Sequence, residues 1–289
     1  MLLNKEIAVY SNKVRLVPYC GHHVETYHEW MKDPDLQVAT ASERLSLKDE
    51  YSMQQSWRAD KDKLTFISCE CTTSSSRTGD PSEQTHEEEI SSMLGDVNLF
   101  VLTNEEESGN VSLVGEFELM IGHKSNTRRG LGRAALLVFI AFVLRHEEEI
   151  LEEYFSAPRE VAEVQRFDYF RVKIGERNTR SIGLFESIGF KKTEEFPNFF
   201  EEFELRCTKL KVEDADRMME ERGMEGYAEM AYTLGDTEKV RPVVETQQQQ
   251  HGGSGPEKLL FREAETDMEQ GLPPEAEKQE TEDAENRAA

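Results

Sequence analysis

Positive charge is in short supply in this chain. Its 289 residues carry 34 lysines and arginines against 58 aspartates and glutamates, a net charge of −24. Such a surface cannot neutralise a run of phosphates, so binding to nucleic acid is excluded and cationic partners are favoured. Cysteine is scarce too. Cys20, Cys69, Cys71 and Cys207 show no zinc-like spacing and cannot staple a chain of this length, so reduced thiols in a cytosolic protein are expected. His22 and His23 are adjacent with no third ligand at a useful spacing, and no metal is expected. Long apolar runs are missing as well. The longest, from Ala134 to Leu144, falls far short of the ~20 residues that cross a bilayer, and "MLLNKEIAVYSNK" lacks the sustained apolar stretch of a secretory leader. The expectation is a soluble, cytoplasmic protein with no membrane partner.

What is present is unevenly distributed. Apolar residues make up 37% of the chain and charged residues 32%, enough for a core but not for packing every segment. From Lys211 to the end there are 21 acidic and 9 basic residues, so residues 211–289 hold −12 of the −24. That stretch includes "QQQQHGGSGPE" and is poor in aromatics. It reads as an acidic, largely disordered tail, with helical structure conceivable only between Lys211 and Ala231 and none from about Thr237. Two further breaks, 72–92 and 145–166, are polar or highly charged and read as insertions, the second interrupted by Pro158.

The remainder, within 1–210, alternates short strands and helices. "KVRLVPY", "LTFISCE", "GDVNLFVL", "SLVGEFELMI", "YFRVKI" and "FEEFELRCTKL" have strand character. Helices are expected around "HHVETYHEWMK", from Ser46 as N-cap to Arg58, from about Leu131, and from Asn178 to Ile188. Trp30, Tyr51 and Trp57 fall at helical spacing and read as core, near a face that could also line a groove. The helix from Leu131 is apolar nearly all round, as a helix laid on a sheet should be. The sum is a mixed α/β (α+β) domain built on one sheet.

One junction asks for more than a fold. In "MIGHKSNTRRGLGRAALLVF" an apolar strand ends in a basic, glycine-bearing turn that opens directly into a helix. The first amides of a helix have no intrahelical partner and lie at the positive end of its dipole, which favours an anion. Gly130 and Gly132 let the backbone approach a ligand closely, and Arg128, Arg129 and Arg133 add charge. A pyrophosphate suits that place. The turn is neither a Walker loop nor a three-glycine dinucleotide fingerprint.

About 45 residues later, "NTRSIGLFESIGF" follows a strand and loop, with Asn178 as a good N-cap. Together with "TRRGLG" it resembles the paired signatures of the GNAT superfamily of acyl-CoA N-acyltransferases. "YHEWMKDPDLQ", "TASERLSLKDEYSMQQSW", "DKLTFI", "GDVNLF" and "GEFELMI" extend the likeness, in order, to its eukaryotic N-acetyltransferase 9 branch. It covers Lys13 to about Leu210 apart from the insertions.

The resemblance implies a central, mostly antiparallel sheet flanked by helices, splayed between "GEFELMI" and "YFRVKI" to take acetyl-CoA. It implies that the pantetheine arm pairs with backbone near Met120 and Ile121. The diphosphate is then met by Arg128, Arg129, Gly130, Leu131, Gly132 and Arg133, and Asn178, Ser181 and Phe185 lie beside the arm, with Leu184 and Phe185 equally able to be core. A base is needed for the acceptor amine, and Glu116 and Glu118, on one face of the strand, are the candidates. Two positions depart from the family pattern. Thr127 replaces the usual Arg or Gln at the loop's start. Phe185 stands where many members have a tyrosine to protonate the thiolate. The branch is associated with acetylation of α- and β-tubulin N-termini, which implies a protein acceptor, with tubulin or microtubules as the candidate, and a cytoskeletal association. Two other readings stay open: an acetyltransferase for a small cationic amine, and an acyl-CoA-binding adaptor with weak catalysis.

Overall fold

The strand stretches alternate in polarity, and that alternation sets which side of the sheet each residue serves. The computed structural model describes residues 1–71, 85–105, 109–155 and 166–233. In chain order the elements are β1 (Ile7–Tyr10), β2 (Val14–Pro18), α1 (Val24–Trp30), α2 (Pro34–Ala39), α3 (Leu47–Ala59), β3 (Lys63–Glu70), α4 (His86–Ser91), β4 (Met93–Glu105), β5 (Val111–Ile121), α5 (Leu131–Arg145), α6 (Glu147–Phe155), β6 (Tyr169–Gly175), α7 (Thr179–Glu186), β7 (Lys191–Lys192), β8 (Glu202–Cys207), α8 (Val212–Glu220) and β9 (Ala228–Ala231). The strands form one nine-stranded sheet in the order β7-β8-β6-β5-β4-β3-β2-β1-β9. Each pairing is antiparallel except β5 with β6.

Two clusters cover the two faces. On one, α5 buries eleven residues between Leu131 and Val143 against Phe66, Phe117 and the rest of the main core. On the other, Tyr19, Tyr27, Met31, Ile67 and Met120 are buried together, with Trp30, Tyr51 and Trp57 partly buried around them. Helix starts follow their local chemistry. Asp33 accepts from the Asp35 amide with Pro34 at the first helical position, Ser46 accepts from Asp49, and Asn178 accepts from Ser181.

The fold runs past the domain edge expected at residue 210. Helix α8 lays Ala215, Met218 and Met219 into the core, Arg145 bonds Asp216 at 2.7 Å, and β9 pairs with β1 as an outer strand. Spacing of i, i+3 and i+4 in those three apolar residues makes an amphipathic helix despite the acidic average of the segment. The stretch from Thr237 lies outside the described residues. So do residues 72–84 of the first insertion and 156–165 of the second, Pro158 included, while α4 and α6 occupy described parts of each.

Candidate active site

The sheet is interrupted where a ligand could enter. Strands β5 and β6 pair at three positions only: Val114 with Tyr169, Gly115 with Phe170, and Glu116 with Arg171. Beyond Glu116, β5 runs on to Ile121 paired to β4 alone, while β6 runs on to Gly175 paired to β8 alone. The facing edges therefore separate and leave backbone donors and acceptors of 117–121 turned toward a gap, inside a sheet rather than at its rim.

The turn after β5 leads from that gap into α5. Arg128 (φ 64°) and Gly130 (φ 79°) both adopt the left-handed region, which costs a side-chain-bearing residue roughly 1 kcal/mol and a glycine almost nothing. Successive residues of this kind curl the amides inward into an anion-binding concavity. Unlike the starts of α2, α3 and α7, the start of α5 has no side-chain cap: Gly130 is its N-cap, and the amides of Leu131, Gly132 and Arg133 have no partner among the described residues. A Cβ built on Gly130 would meet nothing within 4 Å, so the space above it is open. The arginines divide their labour. Arg129 is held by Glu70 in a bidentate pair at 2.5 and 2.9 Å, whereas Arg128 is exposed and Arg133 partly so. Thr127 turns its hydroxyl to the Lys124 carbonyl at 2.8 Å. The chemistry of this donor set fits a diphosphate.

On the face opposite α5, the even-numbered residues of β5 carry the two carboxylates. Glu116 is spoken for: Arg171 Nε bonds it at 2.5 Å and also lies 3.7 Å from Glu204. Glu118 has no cation within bonding distance among the described residues. It keeps an open face to solvent while the surrounding protein walls its other sides. That partial desolvation raises its pKa to about 7; Lys63 opposes the shift, and Glu116, Asp96 and Glu202 reinforce it. A carboxylate that titrates near neutrality, in a gap open to solvent, is suited to take a proton from an ammonium. Lys63 is itself buried, with its Nζ 2.9 Å from the centre of the Trp57 ring, and burial lowers its pKa to about 8. Below it Thr65, Asn98, Asp96 and Tyr27 form a hydrogen-bonded chain.

Comparison with known proteins gives the family. The profile of the Acetyltransferase (GNAT) domain matches residues 13–191. The chain belongs to the GNAT acetyltransferase family. An N-acetyltransferase 9-like protein of Nematostella vectensis is 39% identical over 70% of this chain and 86% of its own length. The Alpha/beta-tubulin-N-acetyltransferase 9 of Mus musculus is 34% identical over 89% of this chain and 91% of its own, and that of Homo sapiens 35% over 72% and 86%. A GNAT-family acetyltransferase from Bacillus anthracis, 12% identical, is matched over 70% of this chain and 98% of its own with a TM-score of 0.47.

Helix α7 begins where β6 ends, on the far side of the gap from the α5 turn. Asn178 commits its side-chain oxygen to the Ser181 amide at 3.2 Å, so both residues are fixed at the start of α7, past the end of β6. Phe185 is 2% exposed and packs edge-on against Phe190 at 5.3 Å, within the main core, while Leu184 is only partly buried. The side chain at 185 is therefore a structural part of α7's seat, and it has no proton to give a leaving thiolate.

One cluster went unseen in the sequence. Glu89, on α4, reaches His22 and His23, each with Nε2 2.9 Å from its Oε1; the Tyr232 hydroxyl donates to the same oxygen at 2.7 Å, and Arg15 lies 3.6 Å from Oε2. The histidines thus do have a third partner, 66 and 67 residues away. The Cys20 amide donates to His23 Nδ1 at 3.0 Å, so the neutral ring carries its proton on Nε2 and presents Glu89 with a donor rather than offering an ion a lone pair. With Arg15 already supplying a positive charge, the donor set suits a hydrogen-bonded clasp better than a metal ion. Burial drives His23 down to about 4. Glu89 is held well below the ordinary carboxylate range, because hydrogen bonds from His22, His23 and Tyr232 outweigh the cost of its burial.

Proposed function

We propose that this acetyltransferase moves the acetyl group of acetyl-CoA to the N-terminal amine of a protein, with the N-termini of α- and β-tubulin as the first acceptors to test. The observation that carries the reading is Glu118: a carboxylate with no cation in bonding contact among the described residues, poised near neutrality, two residues past the point where β5 and β6 part. The curated relatives named as tubulin N-acetyltransferases support the choice of acceptor. In this reading the 128–133 turn holds the diphosphate and the free edge at Met120 and Ile121 takes the pantetheine arm. Glu118 takes a proton from the acceptor ammonium. The freed amine nitrogen then attacks the thioester carbonyl, the carbon–sulfur bond breaks, the CoA thiolate leaves without help from Phe185, and the nitrogen's second proton passes through solvent to the departed thiolate, leaving a neutral amide. Tubulin is a cytosolic, cytoskeletal protein, and a cytoplasmic location for the enzyme follows as part of the proposal.

Incubation of the full chain with acetyl-CoA and peptides bearing free tubulin N-termini, read by mass spectrometry, tests it. An acetyl group on the α-amine is expected. Acetylation of free polyamines in preference to every peptide would replace the protein acceptor with a small cation, and cofactor binding with no turnover on any amine would make the protein an adaptor.

A further inference from the structure

The side of the gap that faces Glu118 carries a second set of groups with no part in holding the cofactor. On β8, Glu202, Glu204 and Arg206 share the face of Glu116 and Glu118, since Arg171 reaches both Glu116 and Glu204, and Glu204 in turn bonds Arg206. Those four residues neutralise one another. Glu202 is left over: its carboxylate has no cationic partner among the described residues. It stands opposite Gly175, the last residue of β6, where an added Cβ would meet nothing within 4 Å. The space between Glu202 and β5 is therefore open, and Glu202 is near enough for its charge to be felt at Glu118.

The turn that precedes Glu202 is apolar and outward-facing. Phe196 is 73% exposed, Phe199 94% and Phe200 50%, with the Phe199 and Phe200 rings 5.4 Å apart. It is also firmly built. The Asn198 side-chain oxygen accepts from the amides of Phe200 and Glu202, and the Glu176 amide donates to the Glu201 carbonyl at 2.7 Å, fastening the turn to the end of β6. From Thr193 to Glu204 the chain contains five glutamates and no lysine or arginine. Three exposed phenylalanines on so short a turn are unusual for a solvated surface and mark a place of contact.

We propose that Glu202 and the ledge of Phe196, Phe199 and Phe200 select the acceptor, which is an N-terminal segment carrying a lysine or arginine beside its free amine and a large apolar side chain just behind. This inference rests on the N-terminal-amine reading above and names the class of N-terminus. The argument is one of complementarity and continuity. The amine must reach Glu118, the residue behind it passes the unpaired Glu202, and the next residues meet the phenylalanines that adjoin it in sequence. An acidic second residue would place like charges together in the gap.

The test uses the full chain, acetyl-CoA and a panel of free-N-terminus peptides. Pairs of peptides differ only at the second position, arginine or glutamate, or only at the third, leucine or serine. The wild-type protein is expected to favour arginine over glutamate by about tenfold in kcat/KM, most of it in KM. In Glu202→Gln that ratio should collapse toward one, and in Glu202→Lys it should invert. Phe199→Ser combined with Phe200→Ser should erase the preference for leucine and leave the arginine ratio intact. Calorimetric affinity for acetyl-CoA, expected to be unchanged in each variant, shows that the fold and the cofactor turn survive. If the wild type accepts both second residues equally, or Glu202→Gln keeps the full arginine preference, the assignment of Glu202 is wrong while N-terminal acetylation stands. If no peptide is acetylated although acetyl-CoA binds, the underlying reading fails instead.

Discussion

Glu118 and Glu89 are the same residue type, on the same domain, with opposite fates. Glu118 lies beside a break in the sheet, with one face to solvent, no cation in contact among the described residues and a pKa raised to about 7. Glu89 is sealed between α4, the turn at 20–23 and the residue after β9, surrounded by donors from His22, His23 and Tyr232, and held ionised well below the usual range. One carboxylate is left able to move a proton and the other is deprived of that ability. What separates them is the number of donors within reach, not burial, which pushes both upward. On the proposed reading, a carboxylate fit for proton transfer in this fold is recognised by missing partners. The same contrast holds for helix starts, capped at Asp33, Ser46 and Asn178 and bare at Gly130.

Substitutions that treat the two carboxylates alike should produce different losses. Glu118→Gln should lower kcat/KM by roughly 10²–10⁴, the range for loss of a general base, with the melting temperature nearly unchanged. A variant that retains its rate would exclude Glu118 as the base. The wild-type rate should also rise with pH through about 7 as Glu118 loses its proton. Glu89→Gln should do the reverse. It leaves Arg15, which is 5% exposed, without a counter-charge, and unfolding in urea should show a loss of about 3 kcal/mol. Its acetyl-CoA affinity should stay within a factor of two or so of wild type under conditions where it remains folded. A stable Glu89→Gln protein would mean that the clasp holds nothing.

A smaller effect distinguishes the left-handed start of α5 from a capped one. Gly130→Val forces a β-branched residue into a left-handed backbone at a cost of roughly 1–2 kcal/mol, and the turn can relieve that strain only by rotating its amides out of line. Acetyl-CoA binding by calorimetry should weaken about tenfold or more. Ser46→Ala, which removes an ordinary cap far from the turn, should cost about 1 kcal/mol of stability and nothing in affinity. Equal affinity in both variants would detach the α5 turn from cofactor binding.

Much of the gap was legible in the linear chain because its signals are local. The alternation of "GEFELMI", the glycines of "TRRGLG" and the cap at Asn178 each act within a few residues, and each fell where expected. Glu116 and Glu118 were equivalent by alternation alone. Only the β5–β6 pairing at Glu116 and Arg171 tells them apart, because it brings an arginine from 55 residues away to one of them. Alternation puts Glu202 on the face of Glu204 and Arg206, but it does not tell which carboxylate of that face lacks a cation; the pairing of β8 with β6 does. The clasp joins positions 22, 23, 89 and 232, and no periodicity connects residues that far apart. In the same way an acidic average concealed the apolar stripe of α8, which a count at i, i+3 and i+4 would have found.

The last test sets the two carboxylate regions against each other in one measurement. Between pH 7 and 4.5 the folded protein holds a proton on Glu118 that the unfolded chain, with its ordinary carboxylate, has released, so acidification over that range favours folding. His23 works the other way. Its folded pKa of about 4 lies below the ordinary 6.5, so as pH falls from 6.5 the unfolded chain gains a proton that the clasp refuses, and folding is disfavoured. Glu89 adds to that loss only below about 4.5, where its unfolded form begins to protonate. In the wild type the two regions partly cancel between pH 6.5 and 4.5. Removing the titrating group in Glu118→Gln leaves His23 unopposed, so the urea midpoint of that variant should drop more steeply from pH 7 to pH 5 than that of wild type. The difference is expected to be small, because the open face of Glu118 screens its share. Parallel slopes for the two proteins would place the Glu118 pKa back near that of an exposed carboxylate and remove the physical basis for its poise.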